Sequence, residues 1–270
     1  MVKKKDGALR FCVDFRQVNT ATVKDAQPLP RIDDLLDSLQ GARWFSTLDL
    51  KSGYWQVPIR EADKQKTAFR TSGGRLFEFN KVPFGLTNAP ATFSRLMDRV
   101  LDGLAWSTCL YYLDDVIVFS TTWEEHLRRL RQVFQRLRDA NLKLSPGKCH
   151  LAQGEVTYLG HRVNHEGLQP DPGLLSAIKD IPAPQTVTQV RSFLGLASYY
   201  RRFVKGFATI AAPLHALTQK GTPFHWTSKC QEAFQTLKDS LTSSPTTAFP
   251  NFEAPFRLYT DASSVGLGAI

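Results

Sequence analysis

The stretch Cys109 to Ser120, CLYYLDDVIVFS, places two adjacent carboxylates, Asp114 and Asp115, inside a run of β-forming residues. Neighbouring residues of a strand point to opposite faces, so both side chains reach one point only where the backbone turns. Two short apolar runs of equal length flank LDD, and the pattern predicts a β-hairpin with the carboxylates at its tip. An ordinary hairpin tip carries Asn-Gly or Asp-Gly, which suit the turn at little cost. A second Asp-Asp pair, Asp33 and Asp34 in PRIDDLLDSLQGA, reads differently. There Ile32, Leu35, Leu36 and Leu39 recur at helical spacing, which leaves Asp33, Asp34 and Asp37 on the wet face of a helix over 31–39.

Two carboxylates about 4 Å apart repel by roughly 4 kcal/mol at an effective dielectric near 20. Partial burial adds several kcal/mol per ion. The arrangement becomes reasonable if divalent cations sit at the tip, because Mg²⁺ takes hard oxygen ligands, often carboxylates together with substrate phosphates. A third carboxylate at a strand end would complete such a site. FSTLDLKSGY supplies it, with Asp49 closing a β-run before Lys51-Ser52-Gly53. Asp49, Asp114 and Asp115 would bracket two metals, one activating a primer 3′-hydroxyl and one neutralising a triphosphate.

The rest of the chain reads as a mixed body followed by a helical lobe. Strands are expected over 9–18 and 42–50, and a hairpin over 66–82 around TSGGR. Helices are expected from Asn88 to about Leu101, then over 123–140, 172–180, 187–203, 208–219 and 228–241. The last opens on Ser228-x-x-Gln231, a capping-box pattern. EGLQPDPG reads as a linker-like turn. Arg128, Arg129, Arg131, Arg136 and Arg138 lie largely off the apolar stripe of the 123–140 helix, as a solvated face or a nucleic-acid contact. The formal net charge of +9 favours a polyanionic partner. Four scattered cysteines without CxxC spacing argue against a disulfide framework or a zinc site and fit a reducing intracellular compartment. No apolar run is long enough for a membrane span. The end, FRLYTDASSVGLGAI, stops on a half-built hairpin, as expected of a fragment of a longer polyprotein.

The runs KKKDGALRFCVDFRQVN, FSTLDLKSGYWQV, KTAF, VPFGLTNAPATF, YYLDDVIVFS, KCHLAQGEVTYLGHRV, RSFLGLASYYRRFV and LYTDAS together resemble the reverse transcriptases of gypsy-like long-terminal-repeat retrotransposons. The resemblance spans essentially the whole chain. It implies an α+β right-hand polymerase of fingers, palm and thumb with an antiparallel palm sheet. Fingers and palm would occupy 1–165, thumb and connection 166–252, and the truncated start of a ribonuclease H-like β unit 253–270. The implied activity is RNA-directed DNA polymerisation, with two Mg²⁺ ions (or Mn²⁺) on Asp49, Asp114 and Asp115.

Further roles follow from the same resemblance. Tyr54 matches an aromatic gate against ribonucleotides, and Phe84 and Gly85 match a segment beside the nucleotide pocket. Lys4, or its neighbours Lys3 and Lys5, and Arg10 match residues that grip the incoming triphosphate. Arg16 matches a template contact, with an ion pair to Asp14 or Glu78 as the alternative. Tyr112 belongs to the YxDD tip, where Leu113 replaces the commoner Phe, Met or Val. Leu159, Gly160 and His161 match a primer grip, and Arg191, Gly195 and Tyr199 a helix face that tracks the minor groove. Asp261 matches the first metal-binding carboxylate of a ribonuclease H domain, whose other carboxylates would lie further on, so no RNA cleavage is expected of this chain. Expected partners are an RNA or DNA template with primer, dNTPs, and a second copy or other Pol- or Gag-derived proteins. No membrane partner is expected. The expected location is intracellular, in a cytoplasmic virus-like particle with nuclear entry. The competing readings are a catalytically silent nucleic-acid-binding subunit or domesticated relic, and an RNA-dependent RNA polymerase, which Tyr54 opposes.

Overall fold

In a computed structural model, residues 2–3, 7, 9–243, 246–250, 254–255, 257–262 and 267–269 are described. The chain begins with a short antiparallel ladder, β1 (Val2–Lys3) on β2 (Leu9–Arg10), then α1 (Arg16–Ala21), α2 (Ile32–Asp37) and β3 (Trp44–Asp49). A 3₁₀ turn at Gly53–Gln56, α3 (Glu61–Lys64) and the hairpin β4 (Phe69–Arg70)–β5 (Leu76–Phe77) lead to α4 (Ala89–Val100). The hairpin β6 (Cys109–Tyr112)–β7 (Asp115–Ser120) and α5 (Trp123–Asp139) follow. Next come β8 (His150–Gln153), β9 (Glu155–Tyr158), β10 (His161–Asn164) and β11 (Gly167–Pro170). The second half is α6 (Pro172–Lys179), α7 (Val187–Tyr199), α8 (Phe207–Ala216) and α9 (Ser228–Thr242), then β12 (Thr260–Ala262) on β13 (Leu267–Ala269).

The central sheet is antiparallel, ordered β6-β7-β3-β8. Its inner strand β7 reads VIVF without alternation because both faces are covered. Ile117 and Phe119, with Phe45 of β3, face a core built from α2, the β11-β10-β9 sheet and helices α6 to α9. Val116 and Val118, with Leu48, face a second core built from α4 and α5. The first core runs without a break from the sheet into the helical lobe.

A buried polar chain fastens α5 to the sheet. Ser120 Oγ donates to Thr122 O (2.9 Å) and lies 3.1 Å from His126 Nδ1, while His126 Nε2 lies 2.7 Å from Ser46 Oγ. The Ala152 amide donates to Ser46 Oγ at 2.8 Å. Since the Ser120 proton is used on Thr122, Nδ1–H must donate to Ser120, and Nε2 must accept from Ser46. Every group is satisfied with a neutral imidazole, and burial, reinforced by Arg129, lowers the His126 pKa.

Four expectations change. Only Leu9–Arg10 of the 9–18 run is strand, and Arg16–Ala21 is helix. Asp14 Oδ1 accepts the Arg16 amide (3.0 Å), which turns the chain there, a local competition that β-propensity does not contain. The linker-like EGLQPDPG contains β11, because β10 offers it a full antiparallel partner from His161↔Pro170 to Asn164↔Gly167. The cap of α9 is Thr227, whose Oγ1 accepts the Cys230 amide, one residue before the expected Ser228. Finally, Asp33 and Asp37 are not simply solvated: they pair with Arg201 and Arg202 from the helical lobe.

Candidate active site

The β3–β7 register pairs Trp44 with Ser120 and ends with Asp49 opposite Asp115. Tyr112 pairs with Asp115 across β6–β7, so Leu113 and Asp114 form a two-residue turn. Leu113 has φ +57°, the left-handed conformation that such a turn normally gives to glycine. For a side chain of this size it costs about 1–2 kcal/mol. The turn is held from below: the Leu50 amide donates to Asp114 O (3.3 Å), and Gly53 packs directly on it. A Cβ on Gly53 would stand 3.0 Å from Phe93 Cζ and 3.1 Å from Asp114 Cβ, so glycine is what lets the 52–53 segment close on the turn.

The backbone thus brings Asp49, Asp114 and Asp115 to one end of one sheet. Asp115 keeps access to solvent, yet its pKa is pushed up to about 6. Desolvation is the main cause, followed by the Asp114 and Asp49 charges, and Lys148 offsets part of it. Lys148 Nζ lies 3.3 Å from Asp49 Oδ2. The ammonium arrives on a segment laid beside β3: Ser145 N–H donates to Asp49 O (2.8 Å), and Gln56 bonds the backbone of Lys143 through both amide ends. Lys148 was given no role by the sequence, although it opens the KCHLAQ run, because the ion pair joins residues 99 apart.

The donors are hard carboxylate oxygens, and the Asp114 and Asp49 charges help to raise the Asp115 pKa, a concentration of negative charge that suits divalent cations. Their side chains are not drawn into a ligand set: among the described residues no three His, Cys, Asp or Glu groups converge to hold an ion. Asp49 is turned toward Lys148 instead.

Tyr54 sits beside this end of the sheet in the Gly53–Gln56 turn. Its ring stands edge-on to Phe93 (5.6 Å between centroids) and tilted against Phe84 (5.3 Å). Burial and the nearby Asp114 charge raise its pKa. Gly85 takes φ +99° with its carbonyl accepting Asn19 Nδ2 (2.7 Å), while Asn19 Oδ1 accepts the Thr87 amide (2.8 Å). Asn19 therefore clamps the Phe84–Gly85 segment, a role its place in RQVN did not reveal.

Of the remaining expected residues, Arg16 forms a forked ion pair with Asp14 (2.6 Å at its shortest) and is otherwise exposed. Lys4 lies outside the described residues, as do the side chains of Arg10 and Asp261, whose backbones lie in β2 and β12. Tyr112 is half-buried against the first core. Leu159 and Gly160 form a two-residue turn between β9 and β10, with φ +46° and +69°. His161 is buried, its Nδ1–H donating to Leu159 O (2.7 Å), so its ring braces the turn rather than facing solvent. Arg191, Gly195 and Tyr199 share the exposed face of α7. Arg191 donates to Thr218 O (2.9 Å), and Tyr199 Oη to Leu159 O (2.7 Å).

An antiparallel sheet with acidic residues at one end, backed by helices and continued by a helical lobe, is the α+β architecture of the right-hand fold class. The chain belongs to the reverse transcriptase family. Residues 2–163 match the family model described as reverse transcriptase (RNA-dependent DNA polymerase), and residues 226–270 match an RNase H-like domain found in reverse transcriptase. The chain is 42% identical over 263 residues to the retrovirus-related Pol polyprotein from transposon 297 of Drosophila melanogaster, covering 97% of this chain and 25% of the relative. It is 41% identical over 273 residues to that from transposon gypsy of the same organism, covering 97% of this chain and 26% of the relative. The Tf2-3 polyprotein of Schizosaccharomyces pombe is 33% identical over 269 residues, covering 100% of this chain and 20% of the relative. The chain thus spans about a quarter of the length of the Drosophila relatives. A foamy viral protease-reverse transcriptase bound to double-stranded DNA superposes with a TM-score of 0.87 at 29% identity, covering 97% of this chain and 46% of that one. The same type of protein bound to an RNA/DNA hybrid gives 0.83 at 29% identity, covering 97% and 35%.

Proposed function

We propose that this chain is the polymerase portion of a retrotransposon Pol polyprotein and extends a primer 3′-end with dNTPs on an RNA or DNA template. The observation that carries the proposal is the β3–β7 register, which sets Asp49 opposite Asp115 with Asp114 in the adjoining turn. Two Mg²⁺ ions (or Mn²⁺) held by these carboxylates would ionise the primer hydroxyl and neutralise the departing pyrophosphate. The chain's own residues do the rest. Tyr54, wedged between Phe84 and Phe93, presents a rigid ring that a 2′-hydroxyl would meet. Lys4, Arg10 and the Phe84–Gly85 segment hold the nucleotide. Arg16, Tyr112, the 159–161 turn and the Arg191–Gly195–Tyr199 face hold template and primer. Fingers and palm occupy 1–165, thumb and connection 166–252, and the start of the ribonuclease H-like unit 253–270, with Asp261 its first acidic ligand; α9, inside the matched 226–270, forms the join. The foamy viral complexes with DNA and with RNA/DNA hybrid support such a partner. Pol- or Gag-derived proteins and a second copy are proposed as further partners, in an intracellular particle. Among the described residues no helix is long and apolar enough to cross a membrane.

A silent nucleic-acid-binding subunit is the second reading. Its supporting observation is the Lys148 ammonium, whose Nζ lies 3.3 Å from Asp49 Oδ2. Primer extension on poly(rA)/oligo(dT) with Mg²⁺, beside Asp114→Asn, separates the two. Extension by the wild type and none by the variant is the result expected of the enzyme. Binding without extension by either protein is the result expected of the silent subunit.

A further inference from the structure

Four consecutive residues, Tyr199-Tyr200-Arg201-Arg202, all make contacts outside their own lobe. Tyr199 Oη donates to Leu159 O at 2.7 Å, and Tyr200 Oη to Gly160 O at 2.8 Å. These are the successive carbonyls of the β9–β10 turn. Leu159 O also accepts His161 Nδ1–H, and Gly160 O accepts the Asp171 amide (3.1 Å), so each carbonyl has two donors on it. A Cβ on Gly160 would stand 3.0 Å from Tyr200 Oη, so the close approach requires this glycine as well as its left-handed φ of +69°. The buried His161 ring is enclosed by Tyr199, Tyr200 and Phe203, with centroids 5.4, 5.2 and 5.8 Å away. On the other side, Arg202 Nη2 lies 2.8 Å from Asp37 Oδ1, with Arg201 and Arg202 each 3.7 Å from Asp33 carboxylate oxygens of α2. Arg202 and Asp37 are both mostly buried, which shields this pair more than a surface pair.

We propose that this tetrapeptide is a pivot that ties the orientation of the helical lobe to the 159–160 turn, and that Tyr200 and Arg202 are positioning residues for the bound duplex. The inference rests on the polymerase reading for the identity of the bound strand. A carbonyl held by a donor fixes the plane of its whole peptide unit. Two hydroxyls on successive carbonyls therefore fix both peptide planes of the turn relative to α7. The ion pairs with α2 fix the same end of α7 relative to the central sheet. The turn and α7 then move as one body, and neither can relax from a bound duplex alone. Loosening the pivot shortens residence on primer–template without touching the groups at the carboxylate end of the sheet.

The test uses the full chain with fluorescein-labelled oligo(dT) on poly(rA). It compares wild type, Tyr200→Phe, Arg202→Gln and Asp37→Asn. Dissociation of the labelled duplex, in Ca²⁺ so that no extension intervenes, is read against an unlabelled trap. The first-nucleotide rate from the prebound complex is read separately in Mg²⁺. Tyr200→Phe removes one hydroxyl and keeps the ring, so dissociation is expected to speed up about threefold to tenfold, the equivalent of one hydrogen bond. Product length per binding event should fall in step, while the first-nucleotide rate changes less than about twofold. Arg202→Gln and Asp37→Asn should act in the same direction and to a similar extent. Wild-type dissociation from Tyr200→Phe, Arg202→Gln and Asp37→Asn overturns the pivot, as does a loss confined to the first-nucleotide rate. If the wild type binds but never extends, the polymerase reading fails while the dissociation series still decides the pivot.

Discussion

The crowding at the sheet end makes Asp115 a liability to the free protein, and Asp115→Asn should stabilise it. The Asp115 carboxyl is raised from its usual 3.8 to about 6, by desolvation first and then by Asp114 and Asp49. Each unit is worth about 1.36 kcal/mol, so the full shift corresponds to roughly 3 kcal/mol. Asp115 retains solvent contact, and screening reduces the effect to about 1–2 kcal/mol. Because its folded-state pKa is the higher one, the folded protein binds the proton more readily. Stability is therefore lost as pH rises from 3.8 to about 6 and stays lost above it. Asparagine keeps the shape and carries no charge. At pH 7.5 the variant should melt about 2–8 °C above wild type, and the gap should close as pH falls toward 4. Thermal melts of both proteins between pH 4 and 8 measure this, since other titrations cancel in the difference. Mg²⁺ should raise the wild-type midpoint more than that of Asp115→Asn. Equal midpoints at pH 7.5, or a gap that persists unchanged at pH 4, would refute the view that the ionised Asp115 is held there at a cost from desolvation and its acidic neighbours.

Replacing Tyr54 by Val opens the space beside Phe84 and should raise rNTP over dNTP incorporation by on the order of tenfold or more, read by primer extension with each nucleotide type. Gly167→Ala drives a Cβ into Thr247 O at φ +146°, which should cost about 2–4 kcal/mol in urea unfolding; Gly154→Ala, which meets nothing within 4 Å, should stay near wild type. His126 and His161 both have lowered pKa values through burial, so the stability they hold is present above the ordinary histidine range and is lost as pH falls below about 6.5. His126→Gln should accordingly lose less stability than wild type between pH 7 and 5, by circular-dichroism melts.

The central strands and the long helices were legible because their causes are local. The apolar run of β7, the stripe of α5 and the position of Asp49 at a strand end all follow from residues within a few positions of one another. What escaped was non-local. Asp33 and Asp37 carry the pattern of a solvated face, and only the arrival of Arg202, which is 165 residues from Asp37, makes them an anchor. Lys148 reaches Asp49 across 99 residues for the same reason. GLQP looked like a linker because its strand character depends on β10 and on Thr247, whose backbone exchanges hydrogen bonds with Leu168. The run after Arg10 failed in the opposite way. Its β-formers lost to one short-range bond from Asp14, which starts a helix there.

Two leucines show the same dependence on distant partners. Leu113 in the acidic turn and Leu159 in the β9–β10 turn both adopt left-handed φ, +57° and +46°. Glycine or asparagine would make either hairpin with less strain. Such conformations persist only where surroundings over-determine them, and both turns are over-determined. The first is gripped by the Leu50 amide and the close face of Gly53, the second by Tyr199 and Tyr200. A glycine in either place would let the backbone sample other conformations and move the groups it carries. Leucine at the first position of each turn, where glycine or asparagine would be less strained, is therefore informative in itself. It marks two places where this chain trades stability for a defined backbone, one bearing two carboxylates and one aligned with the helical lobe.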